Sequence, residues 1–470
     1  MRKSLLTLAT LSAACGSNNA TAPQVESSGT ASTPTTTIEA GAPTLQRVNH
    51  FVVIVLENWS FDSLYAEFQG AEGLTNALAA RPQVDPTTGQ PYAVLPQTET
   101  HMPAGLANTP FALDPYLTVG EDTSLDLTTN FFSEKEQIDN GKMDLFVAAS
   151  SAKGLTMGYF HTADLPIAAE ARQYVLCDHF FHGVYGGSFQ NHIFLVSASV
   201  AVFPNAPDSL KAVLDDAGVP ERNPDSGALE NGPVTPDGHV VGTVYSVNSP
   251  HPATTPSSQL LPSQTMPTIG DELSAQNVDW AWYAGGWNAA LQGVPDAGGD
   301  LYQFHHQPFV YFANYADGTP GRAAHLKDEV DFLATATAGT LPPVSFVKPD
   351  GMDNEHPNYA NVLTGELATE TLINAVRNGP NWKDTMIVVT YDENGGFWDH
   401  VPPPQIDAWG PGTRVPAIVI SPFAKQGYVD HTVYDTTSIT ATIEHRWGLA
   451  PLGTRDANAA DLGNTLEAAR

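Results

Sequence analysis

Two long, uninterrupted apolar runs, each closed by a pair of metal-ligating residue types, constrain this 470-residue chain more than any other feature. His50-Phe51-Val52-Val53-Ile54-Val55-Leu56 runs into Glu57-Asn58, and Thr385-Met386-Ile387-Val388-Val389-Thr390 runs through Tyr391 into Asp392-Glu393. A strand with one solvated face alternates apolar and polar residues, whereas a continuous run suits a parallel strand buried on both faces. In open sheets of this kind ligands bind beyond the carboxyl ends of the strands. The pattern therefore predicts an α/β fold, a central mostly parallel sheet flanked by helices on both faces, with the two acidic motifs meeting at one end. Further strands are expected at 343–347 and 415–420. Helices are expected at 167–174, 268–276, 323–336, 367–378 and 437–447. The Pro-, Gly-, Asp- and Asn-rich stretch from 204 to about 265 reads as an irregular insertion carrying a hairpin at 237–245.

With 42% hydrophobic residues the chain can bury a large core, and 51 acidic against 20 basic residues give a formal charge of −31. So negative a surface repels nucleic acid and anionic bilayers, which argues against binding either and requires a local positive site for any anionic substrate.

Met1-Arg2-Lys3 followed by an apolar stretch to Ala14 has the form of an export signal too short to span a bilayer. Cys15 stands where a lipoprotein signal is modified, although Ser12 occupies the position usually held by leucine. Residues 1–15 are thus expected to be a signal peptide, with the product anchored by lipid in a bacterial envelope or released to the periplasm or medium. Residues 16–45 are rich in Ser, Thr, Ala, Pro and Gly and read as a flexible linker. One catalytic domain is expected over 46–455, with a polar tail over 456–470. Cys177 has no partner for a disulfide and is expected as a small buried residue.

Carboxylates and an amide oxygen make a hard donor set, so Glu57, Asn58, Asp392 and Glu393 are candidate ligands for a divalent cation; these donor types admit calcium, magnesium, manganese or zinc. Gly395-Gly396 after the second pair permits a tight turn. Within His182-Gly183-Val184-Tyr185-Gly186-Gly187-Ser188-Phe189-Gln190-Asn191-His192, Ser188 is the candidate nucleophile, its hydroxyl acidified by a cation, and Asn191 a donor to an anionic oxygen. His305, His306, His356 and His400 lie in turn-like segments and supply positive charge or protons near these ligands.

These motifs resemble the bacterial phosphoesterases that unite acid phosphatases with the haemolytic and non-haemolytic phospholipases C, within the alkaline-phosphatase-like superfamily. The resemblance rests on Glu57-Asn58-Trp59-Ser60-Phe61-Asp62, on Gly187-Ser188 with Asn191, and on Thr390 to Pro403. Gly412-Thr413-Arg414-Val415-Pro416 and Ile420-Ser421-Pro422 continue it in order, and it spans about residues 48–455. It implies that Glu57, Asn58, Asp392 and Glu393 bind the metal, that Ser188 touches the metal and attacks phosphorus, and that Asn191, His305, His306 and His356 surround the phosphate. Members of the family tend to carry a histidine shortly before the segment seen here as Gln137 to Asp144. In this chain Asp126-Leu127-Thr128-Thr129-Asn130 stands there instead, which makes Thr129 a point of departure.

Serine at the nucleophile position, the Trp280 to Trp287 stretch and His305-His306-Gln307-Pro308-Phe309 resemble the acid phosphatase branch. The reading is metal-dependent hydrolysis of phosphate monoesters through a phosphoserine, with His356 or His306 protonating the leaving group. A phospholipase C cleaving a phosphodiester is the enzymatic alternative, and a surface lipoprotein that binds phosphorylated ligands without turnover is the non-enzymatic one.

Overall fold

All seven residues of the Thr385–Tyr391 run, and six of the seven in His50–Leu56, are buried, as strands covered on both faces must be. The structure, a computed structural model, describes residues 45–122, 127–224, 229–295 and 301–468. The expected signal segment, and the expected linker up to residue 44, lie outside the described residues. The strands of the main sheet are β1 (His50–Leu56), β2 (Val175–Cys177), β3 (Trp280–Ala284), β4 (Leu326–Asp328), β5 (Val344–Lys348), β6 (Thr385–Tyr391), β7 (Ala417–Ile420) and β8 (Tyr428–Asp430). They form one eight-stranded sheet in the order β8-β2-β7-β6-β1-β5-β3-β4. Every pairing is parallel except those of β7, which runs antiparallel to both β6 and β2.

The main helices are α1 (Pro166–Gln173), α2 (Ser188–Ser197), α3 (Ile269–Ala275), α4 (Pro320–His325), α5 (Glu329–Ala338), α6 (Val362–Arg377) and α7 (Thr436–Trp447). They fall into two groups: α6 packs on α1 and α5, while α2 packs on α7 and α3. Because successive side chains of a strand point to opposite faces, complete burial of β3, β5, β6 and β7 requires cover on both. Each Val, Ile or Leu so buried contributes about 1.5–3 kcal/mol. Trp282 of β3 stacks on Phe346 of β5 with ring centroids 5.3 Å apart, which fills the sheet's interior beside the site described below.

Local chemistry shifts several expected boundaries. The helix expected over 323–336 is two helices separated by β4. Asp328 ends the strand and caps α5, accepting from Val330 N while Asp331 reaches back to its own N–H, so the new helix starts there. The expected hairpin at 237–245 does not form a ladder with itself: His239 bridges Val202 and Val240 bridges Val234. Nor is 455 the end of the packed chain. Leu462, which opens a short 3₁₀ helix, and Leu466, the extended residue that caps it, are buried in the main core, and Leu466 pairs with Ala424. Cys177 is buried and free. Among the described residues no helix is long and apolar enough to cross a membrane.

Candidate metal and nucleophile site

The register of the central strands assembles the site. β1 and β6 pair with Leu56 opposite Tyr391, so Glu57 and Asp392 leave the sheet abreast, and Asp392 N donates to Leu56 O at 3.1 Å. Asn58 follows with φ of 69°, a left-handed conformation that asparagine tolerates better than most residues. Its N–H donates to Asp392 Oδ1 (3.2 Å) and its Nδ2 to Glu393 Oε1 (2.9 Å), which fixes Oδ1 as the free end of the amide. The two motifs touch at Gly395, with φ of 62°, where a Cβ would lie 1.9 Å from Asn58 O, so only glycine fits.

Ser188 is the first residue of α2, where unpaired backbone N–H groups and the helix dipole favour an anion. Its Oγ donates to Glu57 Oε2 at 3.0 Å. The turn before it depends on Gly186, whose φ is 89° and where a Cβ would lie 2.5 Å from Phe131 N. One turn after Ser188, His192 lies on the same face of α2. Its Nδ1–H donates to Ser188 O at 2.8 Å, which leaves Nε2 as a lone-pair nitrogen, buried and without a partner.

Charge is concentrated here and only partly balanced. Lys348, the last residue of β5 and wholly buried, places Nζ 2.6 Å from Glu57 Oε1, and His306 Nε2 lies 2.7 Å from the same oxygen. Burial opposes ionisation of Glu57, but Lys348 and then His306 outweigh it and hold the carboxyl well below its usual range. Asp392 goes the other way: burial, then the charge of Glu57, pushes it up to about 7. Burial and then Asp392 raise Glu393 well above the carboxylate range. Burial, opposed by Glu57 and assisted by Lys348, lowers His306 to about 4, and burial lowers His192 and His305 as well, so these imidazoles are neutral. Lys348 thus pairs with Glu57 alone among three buried carboxylates, and Asp392 keeps its proton in acid because burial and the charge of Glu57 outweigh the lysine's pull.

The buried atoms Asn58 Oδ1, Asp392 Oδ2 and His192 Nε2 lack a hydrogen-bond partner, whereas buried polar atoms are normally satisfied. Glu57, His192 and Asp392 each bring a ligand atom within 4.8 Å of the others, as do Glu57, His305 and His306. Excess negative charge together with unmatched lone pairs at buried atoms fits a divalent cation. Glu393 is placed differently from the expectation of a ligand. Its Oε1 accepts from Asn58 Nδ2 and its Oε2 from Gly395 N (2.6 Å), so in this arrangement it aims Asn58 and pins the glycine turn.

Ser188 opens onto a cleft of about 450 Å³ whose walls include Thr129, Asn130, Gly187, Thr243, Gln303, His305, His356 and Tyr359. His305 and His356 thus line the same cleft as Ser188. His356 stacks on Tyr359 (4.2 Å between centroids) and its Nδ1 donates to Pro357 O at 2.5 Å. Thr129, in place of the family's histidine, lies against Gly187: a Cβ on that glycine would be 3.0 Å from Thr129 O. Two expected phosphate contacts are elsewhere. His306 is buried behind the cleft on Glu57 and accepts the Trp282 indole N–H (2.7 Å) on its carbonyl, so it positions Glu57. The Asn191 amide is used by backbone: Nδ2 donates to the carbonyls of Val184 (2.9 Å), Gly186 and Gly187 (3.1 Å each), and Oδ1 accepts from Val184 N (2.9 Å). It holds the nucleophile turn and does not line the cleft.

Sequence reasoning missed His192 and Lys348. A histidine four residues after the nucleophile at a helix start, and a lysine ending an apolar strand run, were the available signals.

The same two motifs continue into a second buried cluster. Arg414, wholly buried, donates from Nε to Asp399 Oδ1 (2.9 Å), from Nη2 to Asp62 Oδ1 (3.1 Å) and from Nη1 to the carbonyls of Glu72 (2.9 Å) and Asp178 (2.8 Å). His400 Nδ1 lies 2.7 Å from Asp62 Oδ2. This ties the Glu57, Asp392 and Arg414 segments together.

Residues 48–450 match the model of the Phosphoesterase family. A non-hemolytic phospholipase C of Pseudomonas aeruginosa is 24% identical over 86% of this chain and 54% of its own length, so the chain spans about half of that relative. Phospholipase C A of Mycobacterium tuberculosis is 26% identical over 86% of this chain and 74% of its own. Among solved structures, a phosphonate monoester hydrolase of Agrobacterium radiobacter aligns over 89% of this chain and 77% of its own, at 11% identity and a TM-score of 0.34. A protein in the alkaline phosphatase superfamily from Vibrio parahaemolyticus aligns over 74% and 75%, at 10% identity and a TM-score of 0.32.

Proposed function

Since this chain belongs to the Phosphoesterase family, we propose that it hydrolyses phosphate monoesters with a divalent metal ion and a phosphoserine intermediate at Ser188. The observation that carries this reading is the Ser188 hydroxyl, 3.0 Å from Glu57 Oε2 at a helix N-terminus that opens into the cleft. Glu57, Asp392 and Asn58 would hold the ion, with His192 beside them. When bound, it supplies Lewis-acid charge that acidifies the serine hydroxyl and neutralises a phosphoryl oxygen.

The chain's own residues do the rest. Glu57, kept ionised by Lys348 and His306, accepts the Ser188 hydrogen bond and turns the oxygen's remaining lone pairs toward substrate. The first-turn N–H groups of α2 and the His305 side chain receive the phosphoryl oxygens. Ser188 Oγ attacks phosphorus in line as its proton passes to Glu57 Oε2, and His356, oriented by its Nδ1–H to Pro357, gives a proton from Nε2 to the leaving oxygen. Water then cleaves the phosphoserine with His356 as base, and Glu57 returns the proton to the departing Ser188 Oγ. Such a reaction needs positioning and charge more than covalent assistance from the protein.

Monoester preference rests on the cleft wall. Its described side chains are hydroxyls, amides, imidazoles, Val241 and the single ring of Tyr359, with no carboxylate among them. A choline head group would favour an aromatic cage. The phospholipase C names of the relatives favour the diester reading. Metal-replete mature protein offered p-nitrophenyl phosphate and, in parallel, a choline phosphodiester separates the two. Chelator-sensitive release from the monoester is expected, a preference for the diester would transfer the chain to phospholipase C chemistry, and binding without release would favour the non-enzymatic role. We infer from Met1–Cys15 that the protein is exported, anchored or free, and detection in the envelope or culture medium tests this.

A further inference from the structure

Away from the Glu57 cluster, the carboxyl ends of β2 and β8 bring another group of metal-binding side chains together. The two strands run parallel with Cys177 opposite Asp430, so Asp178 and His431, the next residue of each, emerge side by side. Asp178 N donates to Asp430 O at 3.1 Å, which holds them there. The Asp178 side chain is fully buried yet faces two imidazoles. His179 Nδ1 lies 2.8 Å from its Oδ1, and His431 Nδ1 lies 3.0 and 2.9 Å from Oδ1 and Oδ2. On the other side of the His179 ring, Nε2 is 3.1 Å from Glu72 Oε2.

His179 therefore stands between two acceptors, and a neutral imidazole has a single N–H to divide between them. Either a second proton or a cation must occupy one side. A histidine that ligates a metal through one ring nitrogen usually donates the other N–H to a carboxylate, and Glu72 is placed to accept it. That tautomer turns the Nδ1 lone pair toward Asp178 and His431. One ligand atom each from Asp178, His179 and His431 lies within 4.8 Å of the others. The nearby Arg414 reaches Asp178 through its backbone carbonyl, and its charge is balanced by Asp62 and Asp399.

We propose that Asp178, His179 and His431 form a second cation site, oriented by Glu72 and suited to Zn²⁺ or a similar transition metal. Two imidazoles with one carboxylate favour such an ion over calcium or magnesium. The His431 side chain is 59% exposed, which leaves a coordination position to water. The site cross-links the segments that follow β2 and β8 to the Glu72 segment, so its contribution is to stability. It does not depend on the role given to Ser188.

Calorimetric titration of metal-stripped full-length protein with Zn²⁺ tests this, using the wild type, His431→Gln, Glu72→Gln and Asp392→Asn. Two equivalents are expected to bind the wild type. His431→Gln should lose one of them, with affinity reduced about 100-fold or more, and Glu72→Gln should weaken the same one about 10- to 100-fold. Asp392→Asn should keep that equivalent and lose the other. Phosphate release by His431→Gln should match the wild type, so failure here is distinguishable from failure of the phosphatase reading. If His431→Gln binds as much Zn²⁺ as tightly as the wild type, or if Asp392→Asn binds none, the second site does not exist and His179 holds a second proton instead.

Discussion

Two buried charge clusters grow from the same pair of motifs. At Asp62 and Asp399 the guanidinium of Arg414 meets both carboxylates, and its remaining donors end on backbone carbonyls. At Glu57 and Asp392 one lysine pairs with Glu57 alone among three carboxylates, and an amide oxygen, a carboxylate oxygen and an imidazole nitrogen are left without partners. Both clusters are buried, so the difference lies in which of their polar atoms meet a partner within the chain. In the Arg414 cluster every carboxylate oxygen of Asp62 and Asp399 meets a donor of the chain, as a clamp requires, while the Glu57 cluster leaves lone pairs that a cation would complete.

The largest effect should come from removing the nucleophile beside the open cluster. Ser188→Ala is expected to lower turnover on the order of 10⁴-fold or more while leaving metal content near that of the wild type, measured by kinetics and elemental analysis together. Breaking the closed cluster should cost stability. Arg414→Met leaves Asp399 buried without its cation and Asp62 with His400 alone, and is expected to destabilise by about 3–5 kcal/mol in urea unfolding. The open cluster should respond in the opposite sense. In metal-free protein at pH 8, Asp392→Asn removes a carboxylate whose pKa is raised to about 7 and should stabilise by about 1–3 kcal/mol. Asp399→Asn under the same conditions should destabilise. Loading the wild type with metal at 100 times its Kd should add about 2.7 kcal/mol, and Asp392→Asn should abolish most of that gain.

The smallest expected effect is at a third acidic group, Glu366, which accepts from Ile167 N and is pushed by burial up to about 8. Because the folded carboxyl holds its proton more tightly than the unfolded one near 4.5, its contribution to stability is complete in acid and is lost as pH rises toward 8. Glu366→Gln, which keeps an acceptor for Ile167, should therefore unfold like the wild type at pH 5 and at a higher temperature at pH 9.

The continuous apolar runs made the parallel sheet and the meeting of Glu57 with Asp392 legible, because burial on both faces leaves a strand few alternatives. Motif order located Ser188, His305 and His356 for the same cleft. Less could be read where an asparagine or histidine had two possible sets of partners. Asn191 follows the nucleophile as a phosphate donor would, yet three carbonyls of its own turn reach its amide first. His306 sits one residue from His305, and only the backbone direction decides that one faces the cleft and the other Glu57. Lys348 escaped notice because its partner, Glu57, is distant in sequence and is brought near only by the pairing of β1 with β5. The split of α4 from α5 turns on a capping box at Asp328 inside a run with helical composition.

Acid quenching of metal-replete protein during turnover of p-nitrophenyl phosphate, followed by mass spectrometry of the peptide carrying Ser188, tests the central claim most directly. The account predicts phosphate on Ser188, absent after chelation and absent in Ser188→Ala. Sustained release of phosphate with Ser188 unmodified in rapid-quench samples, or undiminished turnover by Ser188→Ala, would contradict it.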